Sequence, residues 1–304
     1  MKQLLILSGK GGTGKTTVAC AFIRLAKVRA YADCDIDAPN VHLTLAPTAA
    51  PSVETFYGMP KARIDPDRCT ACGLCRERCR FAAIHSGERS CFVDPFACEG
   101  CGVCAFVCPA GAVSLEPDAA GELRLYAGET SAFSTAQLKM GGGTSGKLVT
   151  QVKRRLNEAA PKDIPLAILD GSPGIGCPVI ASLSGASMAL IVTEPSVSGV
   201  SDMERIVQAA ASFQTPLCVC VNKADTNPVI TKQIEQYCSE RVLPFLGTIP
   251  FDPAAVRAVN RGLTVVDEDC PSGKAVREIY QKTIRLLGLD EPVNQNQHNG
   301  GQHV

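Results

Sequence analysis

Sixteen cysteines stand in this 304-residue chain, and eight of them fall into two runs of one design. The first is Cys69-x2-Cys72-x2-Cys75-x3-Cys79. The second is Cys98-x2-Cys101-x2-Cys104-x3-Cys108, followed by Pro109. Thiolates at this spacing suit a multi-iron core, and eight of them are enough for two cubane [4Fe-4S] clusters. A zinc site and a disulfide framework are the alternatives. Zinc takes four ligands, usually as two separated pairs or with histidine, so four cysteines within eleven residues, twice, fit a cubane better. Framework residues repeat at the same 29-residue offset: Asp65-Pro66 with Asp94-Pro95, Gly73 with Gly102, Ala83 with Ala112, Ile84 with Val113. A framework that repeats along with its ligands marks a duplicated unit. Arg80 departs from the repeat, standing where the second run carries Pro109.

A second chemistry opens the chain. Leu4 to Leu7 reads as a short buried strand, and Val18 to Ile23 as helix. Between them, Gly9-Lys10-Gly11-Gly12-Thr13-Gly14-Lys15-Thr16-Thr17 fits the phosphate-loop pattern G-x-x-x-x-G-K-[ST] completely. Glycines let backbone N–H groups face phosphate oxygens, and the helix N-terminus adds its positive end. Lys15 neutralises the β- and γ-phosphates, and the Thr16 hydroxyl is a ligand for Mg²⁺. Two acidic strand ends follow, Asp33-Cys34-Asp35-Ile36-Asp37 and Asp170-Gly171-Ser172-Pro173-Gly174. The second runs on to Ile175-Gly176-Cys177-Pro178.

Positioning these groups requires a sheet. Apolar runs at Ile164–Leu169, Met188–Val192, Leu217–Val221 and Phe245–Ile249 read as further strands, each followed by helix-like sequence. That alternation predicts β-α-β units and a parallel sheet. The turn-rich stretches 57–60 and 116–121 bracket the cysteine unit. The glycine-rich 139–147 stretch reads as a mobile loop, with helix beginning at Leu148. Residues 291–304, rich in Asn and Gln, read as a disordered tail.

Composition bounds the rest. Formal net charge is zero and there is no Trp, so nucleic-acid binding driven by bulk charge is not expected. No apolar run reaches the length of a membrane span, and the tail is not a basic amphipathic helix, so no membrane association is expected. Many cysteines without a signal peptide indicate a reducing, cytoplasmic setting.

The cysteine runs resemble bacterial dicluster ferredoxins, in which the fourth cysteine of each run ligates the other run's cluster. That resemblance implies Cys69, Cys72, Cys75 and Cys108 on one cluster, and Cys98, Cys101, Cys104 and Cys79 on the other. The loop x-K-G-G-x-G-K-[ST]-[ST] resembles the deviant Walker A of the MinD/Mrp/ParA class. Most of residues 1–290 resembles MinD/Mrp-superfamily ATPases carrying an inserted dicluster ferredoxin domain. The implied fold is α/β: a parallel-sheet P-loop NTPase over residues 1–60 and 117–290, with a small α+β ferredoxin unit at 61–116.

The resemblance also implies roles. Lys10 acts in trans across an ATP-dependent dimer, formed with a second copy or a related subunit. Asp35 orients the attacking water, with Asp33 near the metal shell, and Asp170 holds Mg²⁺ through water. Asn222 and Pro250 lie where this class contacts the base, and ATP is favoured over GTP. The leading expectation is a slow, partner-stimulated ATP hydrolase that couples MgATP to electron transfer toward an unknown redox partner protein. An Mrp-type cluster carrier and a ParA/MinD-like positioning ATPase are the alternatives. Cys177 is either a buried packing residue or, by analogy with the nitrogenase iron protein, a metal ligand at the dimer axis.

Overall fold

The structure, a computed structural model, describes residues 1–47 and 49–289. The chain starts with β1 (Lys2–Ser8), α1 (Lys15–Ala26), β2 (Ala30–Asp33), α2 (Val41–Leu45) and β3 (Ser52–Tyr57). The cysteine-rich segment follows as β4 (Lys61–Ile64), α3 (Leu74–Glu77), β5 (Ile84–Ser86), β6 (Cys91–Val93), α4 (Val103–Val107) and β7 (Val113–Glu116). Next come β8 (Ala119–Ala127), β9 (Ala132–Leu138), α5 (Ser145–Ala159), β10 (Leu166–Pro173), α6 (Cys177–Leu183), β11 (Met188–Thr193) and α7 (Val197–Ala211). The last elements are β12 (Leu217–Asn222), α8 (Pro228–Glu240), β13 (Phe245–Ile249), α9 (Pro253–Asn260) and α10 (Pro271–Leu286).

The main sheet has the order β13-β12-β11-β1-β10-β2-β9-β8-β3. From β13 to β9 it is parallel; β8 and β3 continue it antiparallel. Strand alternation distributes the core to both faces. Leu5 and Leu7 of β1 pack with α5, α6, α7 and α8, while Leu4 and Ile6 pack with α1 and α10. Strands buried on both faces read as unbroken apolar runs, which is why they were visible in the sequence.

The stretch expected to be a mobile loop, 139–147, ends in helix, since α5 starts at Ser145 rather than Leu148. Before it, residues 119–127 and 132–138 form the β8–β9 hairpin. The hairpin escaped notice because its strand β9 carries Ser, Thr and Gln among its apolar residues. Its pairing with β3 brings Tyr57 opposite Ala119, so the chain leaves and re-enters the sheet at adjacent points on one edge. The proposed tail at 291–304 lies outside the described residues.

Between those points, residues 61–116 build two small antiparallel sheets, β4–β7 and β5–β6. The 29-residue repeat is visible in their hydrogen bonds. Asp65 N–H donates to Ala112 O, and Asp94 N–H donates to Ala83 O, both at 2.8 Å. Ile64 pairs with Val113, and Val93 pairs with Ile84. Gly73 and Gly102 share a left-handed backbone, with φ of 78° and 80°. Each half therefore closes on the other half, not on itself.

Candidate nucleotide site and cysteine cavities

The phosphate loop joins β1 to α1, with Gly9, Lys10, Gly11, Gly12, Thr13 and Gly14 in the turn and Lys15, Thr16 and Thr17 in the first helical turn. Strand β1 lies between β10 and β11, and the helices that follow β1 and β11 pack on opposite faces. A crevice at the carboxyl ends of the strands, at such a switch of direction, is where α/β sheets bind ligands. Gly14 has φ of +91°, and a Cβ there would sit 2.2 Å from Asn222 Nδ2. Only glycine meets both demands.

The charged groups converge behind the loop. Parallel register sets Asp170 beside Ile6 on one side and Asp33 on the other. Lys15 Nζ lies 2.6 Å from Asp170 Oδ1, and Thr16 Oγ1 donates to Asp170 Oδ2 at 2.6 Å. Burial works against the Lys15 charge, but Asp170 outweighs it and holds the ammonium above the ordinary lysine value. Asp33 is pushed up to about 7, first by burial and then by the Asp170 charge. Burial also raises Asp35, against the pull of Lys15. Three carboxylates thus share one buried lysine, a surplus of negative charge that a divalent cation would relieve. Thr13 Oγ1 is buried with no hydrogen-bond partner among the described residues, as suits a loop built to receive an acceptor-rich ligand.

Asp33 does not project as a free ligand. Its Oδ1 accepts from Asp35 N–H, and its Oδ2 accepts from Asn40 and Val41 N–H. It ties down the loop after β2, beside Asp170 in the sheet register. Asp35 is left partly exposed, with its Oδ1 accepting from Ala38 N–H. Lys10 pairs within its own chain, 2.5 Å from Glu194 Oε1, and reaches Ser196 and Ser198 at 3.3 and 3.1 Å.

Asn222 Nδ2 donates to Thr13 O at 2.7 Å and Lys223 Nζ to Gly12 O at 2.8 Å, so the end of β12 braces the phosphate loop. Asn222 and Pro250 also line a cavity with Gly12, Gly14 and Thr17, walled by Ile249, Phe251, Val256 and Val276. Apolar walls with a few polar groups beside a phosphate loop suit a planar base. Glu194 was missed as a site residue; its signal was its place at the carboxyl end of the apolar run 188–192.

The cysteines gather at two cavities. One is lined by Cys69, Cys72, Cys75 and Cys108, with Cys91. The other is lined by Cys79, Cys98, Cys101 and Cys104. Backbone N–H groups of Ala71, Ala83, Ala112 and Ala62 point at the sulfurs of Cys69, Cys79, Cys108 and Cys98, at 3.3–3.5 Å. Each set surrounds a space rather than a point. Among the described residues, no three or more His, Cys, Asp or Glu side chains could hold a metal ion as a group. Cys177 is exposed, not buried, at the start of α6. Cys20, Cys34, Cys218, Cys220, Cys238 and Cys270 are buried. No helix among the described residues is long and apolar enough to cross a membrane.

Comparison with known proteins places this architecture. An uncharacterized protein of Methanocaldococcus jannaschii, MJ0578, is 28% identical over 289 residues, covering 94% of this chain and 97% of that one. An uncharacterized ATP-binding protein of the same organism, MJ0547, is 25% identical over 287 residues, covering 92% and 87%. The solved structure of the septum site-determining protein MinD complexed with Mg-ADP, from Pyrococcus horikoshii, shares the fold. Its TM-score is 0.57 at 15% identity, covering 96% of this chain and 99% of that one. The family described as the CobQ/CobB/MinD/ParA nucleotide binding domain matches residues 4–265. That span takes in the phosphate loop, Asp170 and the strand-end residues around them, and the chain belongs to this CobQ/CobB/MinD/ParA family.

Proposed function

We propose that the chain is a MinD/ParA-like ATP hydrolase whose nucleotide cycle governs electron transfer through two [4Fe-4S] clusters held by residues 61–116. The observation that carries the cluster half is the grouping of thiols. Each cavity combines three cysteines of one run with the fourth of the other. The residues fit the group: four soft sulfur donors per cavity, with backbone N–H donors aimed at four of the sulfurs. Bound there, a cluster supplies one-electron storage.

On the nucleotide side, Lys15 carries the β/γ-phosphate charge, and Thr16 and Asp170 hold Mg²⁺. Their contact in this structure supports that division of labour, since a phosphate competes with Asp170 for Lys15. Asp35 orients the attacking water. Lys10 exchanges its Glu194 partner for a nucleotide across an ATP-dependent dimer. Asn222 and Pro250 contact the base. The turn after β10, with Gly174 and Gly176, moves when the γ-phosphate departs. A redox partner protein accepts or supplies the electrons.

The decisive experiment is anaerobic reconstitution followed by redox titration read by EPR, with and without MgATP. Two clusters per chain and a MgATP-dependent shift in potential are expected. Identical titrations in both conditions would sink the coupling, and a protein that takes up no iron would sink the clusters.

A second reading is a positioning ATPase of the MinD/ParA type. The comparisons favour it over the redox reading, because the family and the neighbouring fold are named for nucleotide binding and septum placement. ATP-dependent binding to liposomes or DNA by a chain whose clusters ignore MgATP would establish it instead.

A further inference from the structure

The two halves of the cysteine unit are alike in backbone and opposite in surface chemistry. At the 29-residue offset, Arg68 corresponds to Ala97, Arg76 to Ala105, Glu77 to Phe106, Arg78 to Val107, and Arg80 to Pro109. Residues 68–80 thus carry four arginines and one glutamate, whereas residues 97–109 carry no Lys or Arg and one glutamate. All four arginines are exposed. None forms an ion pair with a carboxylate among the described residues. Arg68 Nη2 donates to Ala110 O at 3.3 Å, spanning the rim of the first cavity from the Cys69 side to the Pro109 side. Arg76 follows Cys75 and donates to Ser86 Oγ at 2.6 Å. Cys72, between them in sequence, is exposed.

The second half faces the nucleotide domain. Phe96 lies against Gly141, where a Cβ would be 2.9 Å from its ring; Glu99 stands 3.8 Å from such a position at Gly143. Gly141 and Gly143 belong to the loop before α5, and a Cβ at Gly146, in the first turn of α5, would sit 3.1 Å from the Cys177 carbonyl oxygen. The body of the protein therefore touches the half without arginines at Phe96 and Glu99, with Phe96 still 75% exposed. The arginines stand on the other half, Arg68 and Arg76 next to Cys69 and Cys75 of the first set and Arg78 and Arg80 around Cys79 of the second; Cys72 and Cys101 are both exposed.

We propose that this half of the unit, with Arg68 and Arg76 next to Cys69 and Cys75 and with Arg78 and Arg80 flanking Cys79, is a docking surface for an acidic protein, an electron carrier whose carboxylates pair with those guanidinium groups. The face itself is read from charge and exposure; its use for electron exchange rests on the cluster reading above. In that exchange one electron leaves the group held by Cys69, Cys72, Cys75 and Cys108 and reduces the carrier, or the reverse, with no bond or proton moved. Unpaired guanidinium groups favour carboxylates through bidentate bonds, and a charged rim steers encounter in a salt-dependent way. Zero net charge over the whole chain makes a local protein-sized patch a better account than a nucleic-acid surface.

The test is fluorescence anisotropy on the anaerobically reconstituted full chain, with labelled deca-glutamate, deca-lysine and a DNA duplex as probes. Iron content and visible spectrum are recorded on each sample. Deca-glutamate should bind at low salt, weaken at physiological ionic strength, and lose about tenfold in affinity in R76Q/R78Q. The charge-reversed R68E/R76E should bind deca-lysine instead. R154Q/R155Q, on α5, should match the parent chain. Unchanged deca-glutamate binding in both face variants at unchanged iron content would overturn the docking surface, as would no binding by the parent chain. Tighter binding of DNA than of deca-glutamate would overturn the choice of partner. A chain without iron that still shows the arginine-dependent binding would overturn the cluster reading and leave the face intact.

Discussion

The ammonium of Lys15 lies 2.6 Å from the Oδ1 of Asp170, and both side chains are closed off from water at the base of the phosphate loop. Neither charge is tolerable there alone. Removing one partner of a buried ion pair typically costs about 3–5 kcal/mol, because the other stays buried and uncompensated. Asp33 and Asp35 still act on Lys15 once Asp170 is gone, so Asp170→Ala should lower the stability of the nucleotide-free chain by less than that full amount, measured by urea denaturation. It should also abolish the Mg²⁺ dependence of nucleotide binding measured by calorimetry.

Asp33 gives the nucleotide-free protein a pH dependence. Burial and Asp170 raise its folded value to about 7, above the ordinary carboxylate value near 4. A raised acid binds its proton more readily folded than unfolded. Its contribution is therefore fully present below about pH 4 and is lost as pH rises through about 7. Asp35, also raised, acts in the same direction. Thermal melts in chelator should show stability falling across that window, with a shallower slope in Asp33→Asn. A melting curve equally steep in the variant would contradict the assignment.

Lys10 is held by Glu194 and the hydroxyls of Ser196 and Ser198. A lysine that acts only on a partner's nucleotide should be dispensable for binding and needed for turnover. Lys10→Ala should bind ATP within a few-fold of the parent chain, while hydrolysis falls at least about 10³-fold, the scale of an arginine finger. Equal losses in binding and hydrolysis would argue for a role within one chain.

The cysteine grouping predicts crossed effects. Cys79→Ser should perturb the cluster of the second run, and Cys108→Ser that of the first, each read as loss of one EPR signal and about half the iron. Cys91 lines the first cavity and is buried, yet it belongs to neither run. Cys91→Ala should keep full iron and lower only thermal stability.

Much of the site was legible in advance because its chemistry is local. The phosphate loop turns through left-handed backbone at Gly14, and each cysteine run lies within eleven residues, whereas the crossed placing of Cys79 and Cys108 came from the resemblance to dicluster ferredoxins. The β8–β9 hairpin and the Glu194 pairing were not legible. A buried strand such as β9 that mixes Ser, Thr and Gln with apolar residues has no strong period, and a carboxylate at a strand end looks the same whether it caps a turn or pairs with a lysine 184 positions earlier.

The sequence by itself determined the phosphate loop, the parallel strands and the internal repeat of the cysteine runs, because glycine conformation, cysteine spacing and two-sided burial are written within short windows. Tertiary structure alone decided that Asp33 secures a loop while Asp170 faces Lys15, since parallel register sets those two acids side by side and backbone N–H groups claim only one. It also decided which half of the repeat meets the nucleotide domain. That choice depends on the Phe96–Gly141 contact, made between residues far apart in the chain whose types alone do not specify it.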